Sequence, residues 1–162
     1  MRRKEREITD SSEIEAFLAS QKIMRVGFFD DGHVYVVPVN FGFEKKDGKF
    51  IFYFHGARDG RKFSLIKKGG NVGFEIDFDF GTKSAETACE FSEYYASVIG
   101  DGNVCEIEEN EEKKRALNWI MLNSTKKGEW HFPAIMLNRV GVFKIEVETL
   151  SCKMHKKLAA EK

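Results

Sequence analysis

Apolar and polar residues alternate along several stretches of the chain, and such alternation indicates a β-strand with one face buried and the other in water. The clearest stretch is residues 72–80, in which Val72, Phe74 and Ile76 are separated by single glycine or acidic residues. Five further strands are predicted at residues 23–29, 33–43, 49–55, 94–108 and 140–147. Asp31-Gly32 separates the first two of these and predicts a tight hairpin turn.

Three segments show the helical spacing of apolar residues instead. In the first, Asp10 and the serines after it can cap a helix whose apolar residues begin at Ile14 and which ends near Gln21. The other two helices carry Phe63, Leu65 and Ile66 before a stop at Gly69, and Leu117, Ile120 and Met121 between a cap at Asn110 and an end at Leu122. Six strands and three short helices predict a barrel or a sandwich with helical flanks.

Two features interrupt the predicted strands. Pro38 lies within residues 33–43 and has no amide hydrogen, so its strand must have an edge, a bulge or an open position there. Such an opening leaves backbone groups free for a ligand. Gly100 and Gly102 lie within residues 94–108, where we favour a bulge over a hairpin turn. Residues 81–93 are polar and are expected to form a surface loop.

Composition and charge argue against several classes of function. The 26 basic and 26 acidic residues give a formal net charge of +0, so no strong attraction to nucleic acid is expected. No stretch approaches the roughly 20 apolar residues of a membrane span, and no apolar signal segment follows the charged start, so we expect a cytoplasmic protein. The three cysteines and four histidines are widely scattered, which fits neither a disulfide framework nor a metal site.

Residues 54–62 carry the clearest candidate chemistry. A strand end is followed by a loop with glycines at positions 56 and 60, and then by a helix start with the cations Arg58, Arg61 and Lys62. Free N–H groups at a helix N-terminus, together with such cations, can bind a phosphate. The glycine spacing matches neither a dinucleotide-binding loop nor a P-loop. On the residues alone, a solvated basic turn is an equally weighted alternative.

Five blocks, in order along the chain, resemble the nitroimidazole-resistance group of the pyridoxamine 5'-phosphate oxidase-like proteins. The blocks are the basic leader at residues 1–4, Val37-Pro38-Val39-Asn40-Phe41-Gly42, residues 55–62, Ser97-Val98-Ile99-Gly100 and Glu112-Lys113. The resemblance covers nearly the whole chain. It implies a mainly β fold, an FMN-binding split β-barrel of about six antiparallel strands with short flanking helices.

The same resemblance implies a homodimer that holds FMN at its interface. We expect one domain over residues 1–162, in which residues 1–8 form a basic leader and residues 154–162 a flexible tail. No metal ligands are expected. The small-molecule partner of such a protein is an electron acceptor, and neither nucleic acid nor a membrane is expected as a partner.

The resemblance further implies the residues of a flavin site. Pro38, Val39 and Asn40 would support the edge of the flavin ring, and Arg61 and Lys62 would bind the phosphate. His55, Gly56 and Ala57 would line the ribityl chain and the ring, while Ser97 and Val98 would approach from the partner subunit. Gly56 stands where these proteins usually carry serine, so one hydroxyl contact is missing, although a backbone N–H can remain.

The function that follows is an FMN-dependent oxidoreductase that reduces a small planar acceptor such as a nitroheteroaromatic compound. His55 is the candidate catalytic residue, because an imidazole can donate a hydrogen bond or a proton to developing negative charge. FMN performs the electron chemistry, so the absence of an acid–base pair does not argue against catalysis. Two alternatives stay open: a flavin- or haem-binding module without turnover, and pyridoxamine-phosphate oxidase itself. Residues 145–153 lack the RLxP-like run of that enzyme's C-terminal block.

Overall fold

The computed structural model describes residues 3–156 and contains, within them, seven strands and four α-helices. The strands are β1 (Glu7–Ile8), β2 (Ile23–Asp30), β3 (His33–Lys46), β4 (Lys49–Gly56), β5 (Asn71–Lys83), β6 (Ser92–Glu106) and β7 (Gly141–His155). The helices are α1 (Ser11–Ser20), α2 (Gly60–Lys68), α3 (Asn110–Thr125) and α4 (Ala134–Arg139), and short 3-10 turns lie at Lys4–Arg6 and Ala88–Glu90. Among the described residues, no helix has the length and hydropathy of a membrane span.

The strands form one antiparallel sheet that closes into a ring. Its order is β1-β7-β4-β3-β2-β5-β6, and β6 pairs in turn with β7, from Tyr95 opposite His155 to Glu106 opposite Phe143. Strands β2 to β7 therefore make a barrel, while β1 adds two residues to β7. The predicted mainly β fold with six antiparallel strands is confirmed, and the closed ring decides between barrel and sandwich.

Strand β3 changes its partner halfway along its length. From His33 to Asn40 it pairs with β2, and from Phe41 to Lys46 it pairs with β4. Beyond Phe54, which lies opposite Phe41, β4 keeps its pairing with β7 on one edge and has no further pairing with β3 on the other. The ring is therefore split between the first half of β3 and the end of β4. Pro38 lies in the half of β3 that borders this split, which is the open position that its lack of an amide hydrogen predicted.

Phenylalanine is the commonest residue of the main core. Eight of its buried residues are phenylalanines, among them Phe41, Phe52, Phe54, Phe74 and Phe143. The ring centroids of Phe52 and Phe74 are 5.0 Å apart, and those of Phe54 and Phe143 are 5.2 Å apart. Helices α1 and α2 add Ile14, Phe17, Leu18, Leu65 and Ile66 to the same cluster. Burial of each such side chain contributes roughly 1.5–3 kcal/mol, which holds both helices against the barrel.

Helix α3 lies against the outer surface of β3 and β4 and covers a second, smaller core. Gly42 makes this packing possible, because a Cβ there would overlap the backbone of Trp119 and Ile120. Beneath the helix, the fully buried Tyr53 donates its hydroxyl to Glu44 Oε1 at 2.5 Å, and Trp119 Nε1 donates to Glu44 Oε2 at 3.1 Å. The polar atoms that the helix covers at this point are therefore hydrogen-bonded, as buried polar groups must be.

The later strands agree with the sequence pattern except at their ends. Strand β6 runs without a hairpin turn, and its register against β7 shifts between Asp101 and Gly102. The extra residue is Glu148, so the bulge lies on β7 and not, as predicted, on β6. The predicted loop at residues 81–93 is shorter than expected, since β5 continues to Lys83 and β6 begins at Ser92. The last strand does not end at Val147 but runs to His155.

Both chain ends differ from the expectation within the described residues. Met154 and His155 belong to β7 rather than to a flexible tail. Both residues pair with β6, and the side chain of Met154 is buried in the core. Residues 157–162 of that expected tail lie outside the described residues. In the expected leader, Glu7 and Ile8 form β1 opposite β7.

The helices show two further differences. Helix α3 is capped by Glu109 instead of Asn110, since the Glu109 carboxylate accepts hydrogen bonds from the backbone N–H groups of Glu111 at 2.9 Å and Glu112 at 2.7 Å. Helix α4 was not predicted. Helix α1 agrees with its prediction, and Asp10 caps it by accepting a hydrogen bond from the N–H of Glu13 at 2.9 Å.

Candidate functional site

The split in the barrel brings two predicted groups of site residues to its opposite sides. Residues 38–40 lie on the β3 side, and residues 55–57 lie on the β4 side, where the chain turns into α2. The two groups are neighbours because Phe41 and Phe54 are the last paired residues before the strands part. Backbone groups along the β3 edge have no neighbouring strand on this side among the described residues, so they can bind a ligand.

Glu106 neutralises two of the cations near the β4–α2 loop. Its side chain is only 3% exposed and forms ion pairs with Arg58, from Nε to Oε1 at 3.0 Å, and with Lys67, from Nζ to Oε2 at 3.3 Å. A buried carboxylate needs such partners, because a buried charge without a counter-charge is strongly unfavourable. Arg58 and Lys67 are therefore tied to the end of β6, and the loop that carries Arg58 is held in place.

Asp30 neutralises two more cations of the same region. Arg61 Nε lies 2.8 Å from Asp30 Oδ2, and Lys68 Nζ lies 3.9 Å from Asp30 Oδ1. The Arg61 guanidinium also lies over the Tyr35 ring, 4.4 Å from its centroid. Arg61 thus ties the start of α2 to the β2–β3 hairpin, and it would have to exchange Asp30 for a phosphate in order to bind one.

Lys62 differs from these four neighbours. Among the described residues no carboxylate lies within ion-pair distance of its ammonium group, which lies 5.8 Å from the centroid of the Phe54 ring. The side chain is partly buried, and this desolvation lowers the pKa of Lys62. A cation that is partly removed from water without a counter-charge is suited to an anionic ligand, so the pattern fits a phosphate group better than a solvated basic turn.

His55 lies one residue from the end of β4, beside Lys62. Partial desolvation, and in second place the nearby Lys62 ammonium, lower the pKa of His55 below its ordinary value. The imidazole is therefore predominantly neutral at neutral pH, with one ring nitrogen as a hydrogen-bond donor and the other as an acceptor. It can hold or donate a hydrogen bond to a ligand in the split.

Of the predicted site residues, the two valines have buried side chains and can contribute only their backbone, whereas Pro38, Asn40 and Ala57 are exposed. The side chains of Val39 and Val98 lie in the barrel core, at 7% and 0% exposure. Asn40 is exposed, and its side-chain amide donates to the carbonyl of Lys22 at 3.1 Å. Pro38 and Ala57 are exposed on the surface.

Ser97 is not brought to the split within one subunit. It lies opposite Asp77 of β5, and β2 separates β5 from β3. With strands about 4.8 Å apart, Ser97 is about 14 Å from β3 across the sheet. A role for Ser97 or Val98 in the site therefore requires a second subunit, as the sequence-based assignment assumed.

A cavity of about 530 Å³ lies elsewhere, between α3 and the outer faces of β4 and β7. Three of its lining charges form ion pairs, since Lys144 pairs with Glu112 at 3.3 Å and with Glu146 at 3.0 Å. No group of three or more metal-ligating side chains is found among residues 3–156.

Comparison with known proteins agrees with this geometry. The sequence model of the family described as pyridoxamine 5'-phosphate oxidase matches residues 10–154. The chain belongs to the pyridoxamine 5'-phosphate oxidase family. The predicted resemblance is thereby confirmed, and the family is one of flavin-binding split-barrel proteins. No curated protein matches the chain.

Solved structures of the same fold include one relative with appreciable sequence identity. A candidate 5-nitroimidazole antibiotic resistance protein from Bacteroides thetaiotaomicron is 31% identical, with a TM-score of 0.75 over 91% of this chain and 85% of that one. A flavocytochrome from Azotobacter vinelandii is 20% identical, with a TM-score of 0.78 over 97% of this chain and 72% of that one. An FAD- and haem-binding protein from Mycobacterium smegmatis is 16% identical, with a TM-score of 0.79 over 94% and 74%. The last two share the fold alone.

The residues that sequence analysis missed are the acids that organise the cations. Asp30 and Glu106 lie 31 and 48 residues from Arg61 and Arg58, and each is an ordinary acidic residue in its local sequence. Only the barrel closure brings them to the β4–α2 loop. For a single sequence, no pattern points to either residue.

Proposed function

We propose that this member of the pyridoxamine 5'-phosphate oxidase family binds FMN in the barrel split and reduces a small planar acceptor. The observation that carries the proposal is the partly buried ammonium of Lys62, which has no carboxylate partner among the described residues and lies at Gly56, on the β4 side of the split. A phosphate dianion supplies the missing counter-charge, and each charge-assisted hydrogen bond contributes roughly 1.5–3 kcal/mol.

Each part of the split has a role in this proposal. Backbone groups of residues 38–40 support the edge of the flavin ring, and residues 55–57 line the ribityl chain. Lys62 binds the phosphate, joined by Arg61 when it exchanges Asp30 for that group. Bound FMN supplies the reducing equivalents. The neutral His55 imidazole donates a hydrogen bond from its protonated ring nitrogen to the acceptor and orients it.

A second subunit completes the proposed site. The register places Phe29, Val34, Val36 and Ile99 on the outer face of the sheet with Ser97, and these four apolar side chains are at least half exposed. A two-fold interface over this face buries them and carries Ser97 of one subunit toward the β3 edge of the other. The proposed assembly is a homodimer with two equivalent flavin sites.

The first experiment is a visible spectrum of the purified protein, followed by identification of the flavin released on denaturation. We expect flavin absorption bands and FMN in the supernatant. Released FAD would correct the identity of the cofactor, and a haem absorption band would support the haem-binding alternative. A colourless protein that does not take up added FMN would refute the proposal.

The second experiment tests the reductase activity and the phosphate contact. The flavin is reduced chemically without oxygen, a nitroimidazole is added, and reoxidation is followed for the wild type and for His55→Ala at equal FMN occupancy. We expect reoxidation in the wild type and slower reoxidation in the variant, and none in the wild type would refute the reductase role. We also expect Lys62→Met to weaken FMN binding about tenfold and riboflavin binding little, whereas Lys68→Met, at an exposed cation of the same helix, changes neither.

A further inference from the structure

Two glycines face each other at the end of the barrel where the split begins. Gly56 ends β4 and lies directly opposite Gly141, the first residue of β7. The space that their side chains would fill is taken by other groups. A Cβ on Gly141 would lie 2.6 Å from Phe143 Cζ and 3.2 Å from Arg58 Cγ, and a Cβ on Gly56 would lie 2.6 Å from Lys62 Nζ.

The group that occupies the Gly56 space is therefore the one cation of the loop without a carboxylate partner among the described residues. The Lys62 chain crosses the Phe54 ring and ends over the backbone of Gly56, with Nζ 5.8 Å from the ring centroid. This position is partly shielded from water by the barrel end. Electrostatic attraction to an anion is several times stronger there than in bulk water, where the dielectric constant is high.

We propose that Gly56 is a positioning residue that seats the Lys62 ammonium for the phosphate monoester of the cofactor. This inference rests on the proposed function, which it deepens. Any side chain at position 56 would compete with the ammonium for the same space. The ammonium would then move toward solvent, where it is screened and where its long side chain has more conformational freedom.

The geometry supplies a test variant that leaves the fold intact. In Gly56→Ala, the new methyl group meets the far end of a flexible lysine, and the next neighbour, Phe143 Cε2, lies at 4.0 Å, which is ordinary contact. In Gly141→Ala, by contrast, the three atoms nearest to the methyl group belong to the buried ring of Phe143 and to Arg58, and none to Lys62. Gly141→Ala is therefore the matched control for crowding at the same place.

The affinities of the flavin-free protein for FMN and riboflavin are measured by fluorescence titration for the wild type and both variants. We expect Gly56→Ala to lower the ratio of FMN to riboflavin affinity about five- to tenfold with an unchanged melting temperature. We expect Gly141→Ala to lower the melting temperature and to leave that ratio unchanged. In a Lys62→Met background, Gly56→Ala should lower the ratio no further, because the group on which it acts is gone.

A second readout needs no flavin. The titration of the His55 imidazole is followed by NMR in the flavin-free protein, with His55→Gln used to assign the signal. Burial and, in second place, the Lys62 ammonium lower the pKa of His55. Because the second contribution depends on Lys62, the measured pKa should rise in Gly56→Ala and in Lys62→Met and stay unchanged in Gly141→Ala. Unchanged His55 titration in Gly56→Ala, with a rise in Lys62→Met, would overturn the inference.

Failure of the proposed FMN binding and failure of the proposed role of Gly56 give different results. If the wild type binds neither FMN nor riboflavin, the proposed function fails, whereas the NMR titration still decides whether Gly56 seats Lys62. If the wild type prefers FMN to riboflavin and Gly56→Ala keeps the same preference, FMN binding stands and the role of Gly56 is refuted.

Discussion

Four of the five cations between residues 58 and 68 face a carboxylate, and the fifth is Lys62. A solvated basic turn would leave all of them in water, where ion pairs contribute little. Here Glu106, almost fully buried, and Asp30 instead tie their partners to β6 and to the β2–β3 hairpin. The neutralised cations fix the loop, and the one cation left over is available to a ligand. The arrangement therefore separates a structural role from a binding role among side chains of the same charge.

The lowered pKa of His55 makes a prediction about stability and pH. Because desolvation and the Lys62 ammonium disfavour the imidazolium in the folded state, the unfolded chain binds more protons in the window from about pH 6.5, the ordinary value, down to the folded pKa. We expect the free energy of unfolding of the flavin-free protein to fall as the pH is lowered through this window. Urea denaturation at a series of pH values measures this free energy.

The matched variants for this prediction are His55→Gln and His33→Gln. Like His55, His33 is exposed; it lies at the start of β3 and controls for the loss of a histidine as such. The decrease in unfolding free energy between pH 6.5 and lower pH should be smaller in His55→Gln than in the wild type and in His33→Gln. An equal decrease in all three proteins would show that His55 is not perturbed in the folded state.

The packing of α3 on β3 depends on one position in the strand. Gly42 lies directly under the helix, where a Cβ would overlap the backbone of Trp119 and Ile120. The glycine of the motif at residues 37–42 is thus explained by helix packing, while Pro38 in the same motif lies at the split. One short segment therefore serves the fold at one end and the candidate site at the other.

We expect Gly42→Ala to lower the free energy of unfolding by about 1–3 kcal/mol, because the helix must shift away from the strand to make room. For a chain of this size, each kcal/mol corresponds to about 2–4 °C in melting temperature. Gly128→Ala is the control, since Gly128 has open space around its Cβ position. Equal melting temperatures for Gly42→Ala and the wild type, measured by calorimetry, would contradict the close packing.

The elements that sequence analysis predicted well are those whose pattern is local. The alternation at residues 72–80 and the turn at Asp31-Gly32 need no distant partner, and both agree with the structure. The continuation of β7 could also have been predicted, because Leu150, Cys152 and Met154 alternate with polar residues. The two-residue strand β1 could not, since it exists only through its pairing with Lys153 and Cys152 at the far end of the chain.

The candidate site follows the same division. The loop at residues 55–62 and the open edge at Pro38 were predicted from local sequence, supported by the family resemblance. The division of the nearby cations into four that pair with a carboxylate and one that does not was not predicted, because Asp30 and Glu106 reach the loop only through barrel closure. The cap of α3 was also predicted wrongly. Asn110 was chosen because asparagine is a preferred N-cap residue, whereas the carboxylate of Glu109 caps the helix in the structure.

At the scale of the whole molecule, the outer face of β2, β3, β5 and β6 carries exposed apolar side chains next to the ion pairs of Arg25 with Glu75 and Asp77. Phe29 and Val34 form a cross-strand pair at 72% and 75% exposure, and Val36 lies opposite Gly27 at 55% exposure. Gly27 lies opposite Gly73 of β5, and Gly73 lies opposite Asp101 of β6. The two glycines leave the sheet without side chains between Val36 and Asp101. Exposed apolar side chains bordered by charged residues are typical of an interface with another protein chain.

We expect Val36→Asp to convert a wild-type homodimer into a monomer and to weaken FMN binding, because a second copy completes the proposed flavin site. The substitution buries one carboxylate from each subunit without a partner, and a loss of about 3 kcal/mol corresponds to a more than hundredfold weaker dimer. Val36 is exposed, so the folded subunit tolerates the change.

Leu122→Asp, on the exposed side of α3, is the control and should remain dimeric. Light scattering and FMN titration at micromolar concentration measure both effects. A flavin-loaded monomer in the wild type would refute the shared site, and a dimeric Val36→Asp with full FMN affinity would place the interface on another face.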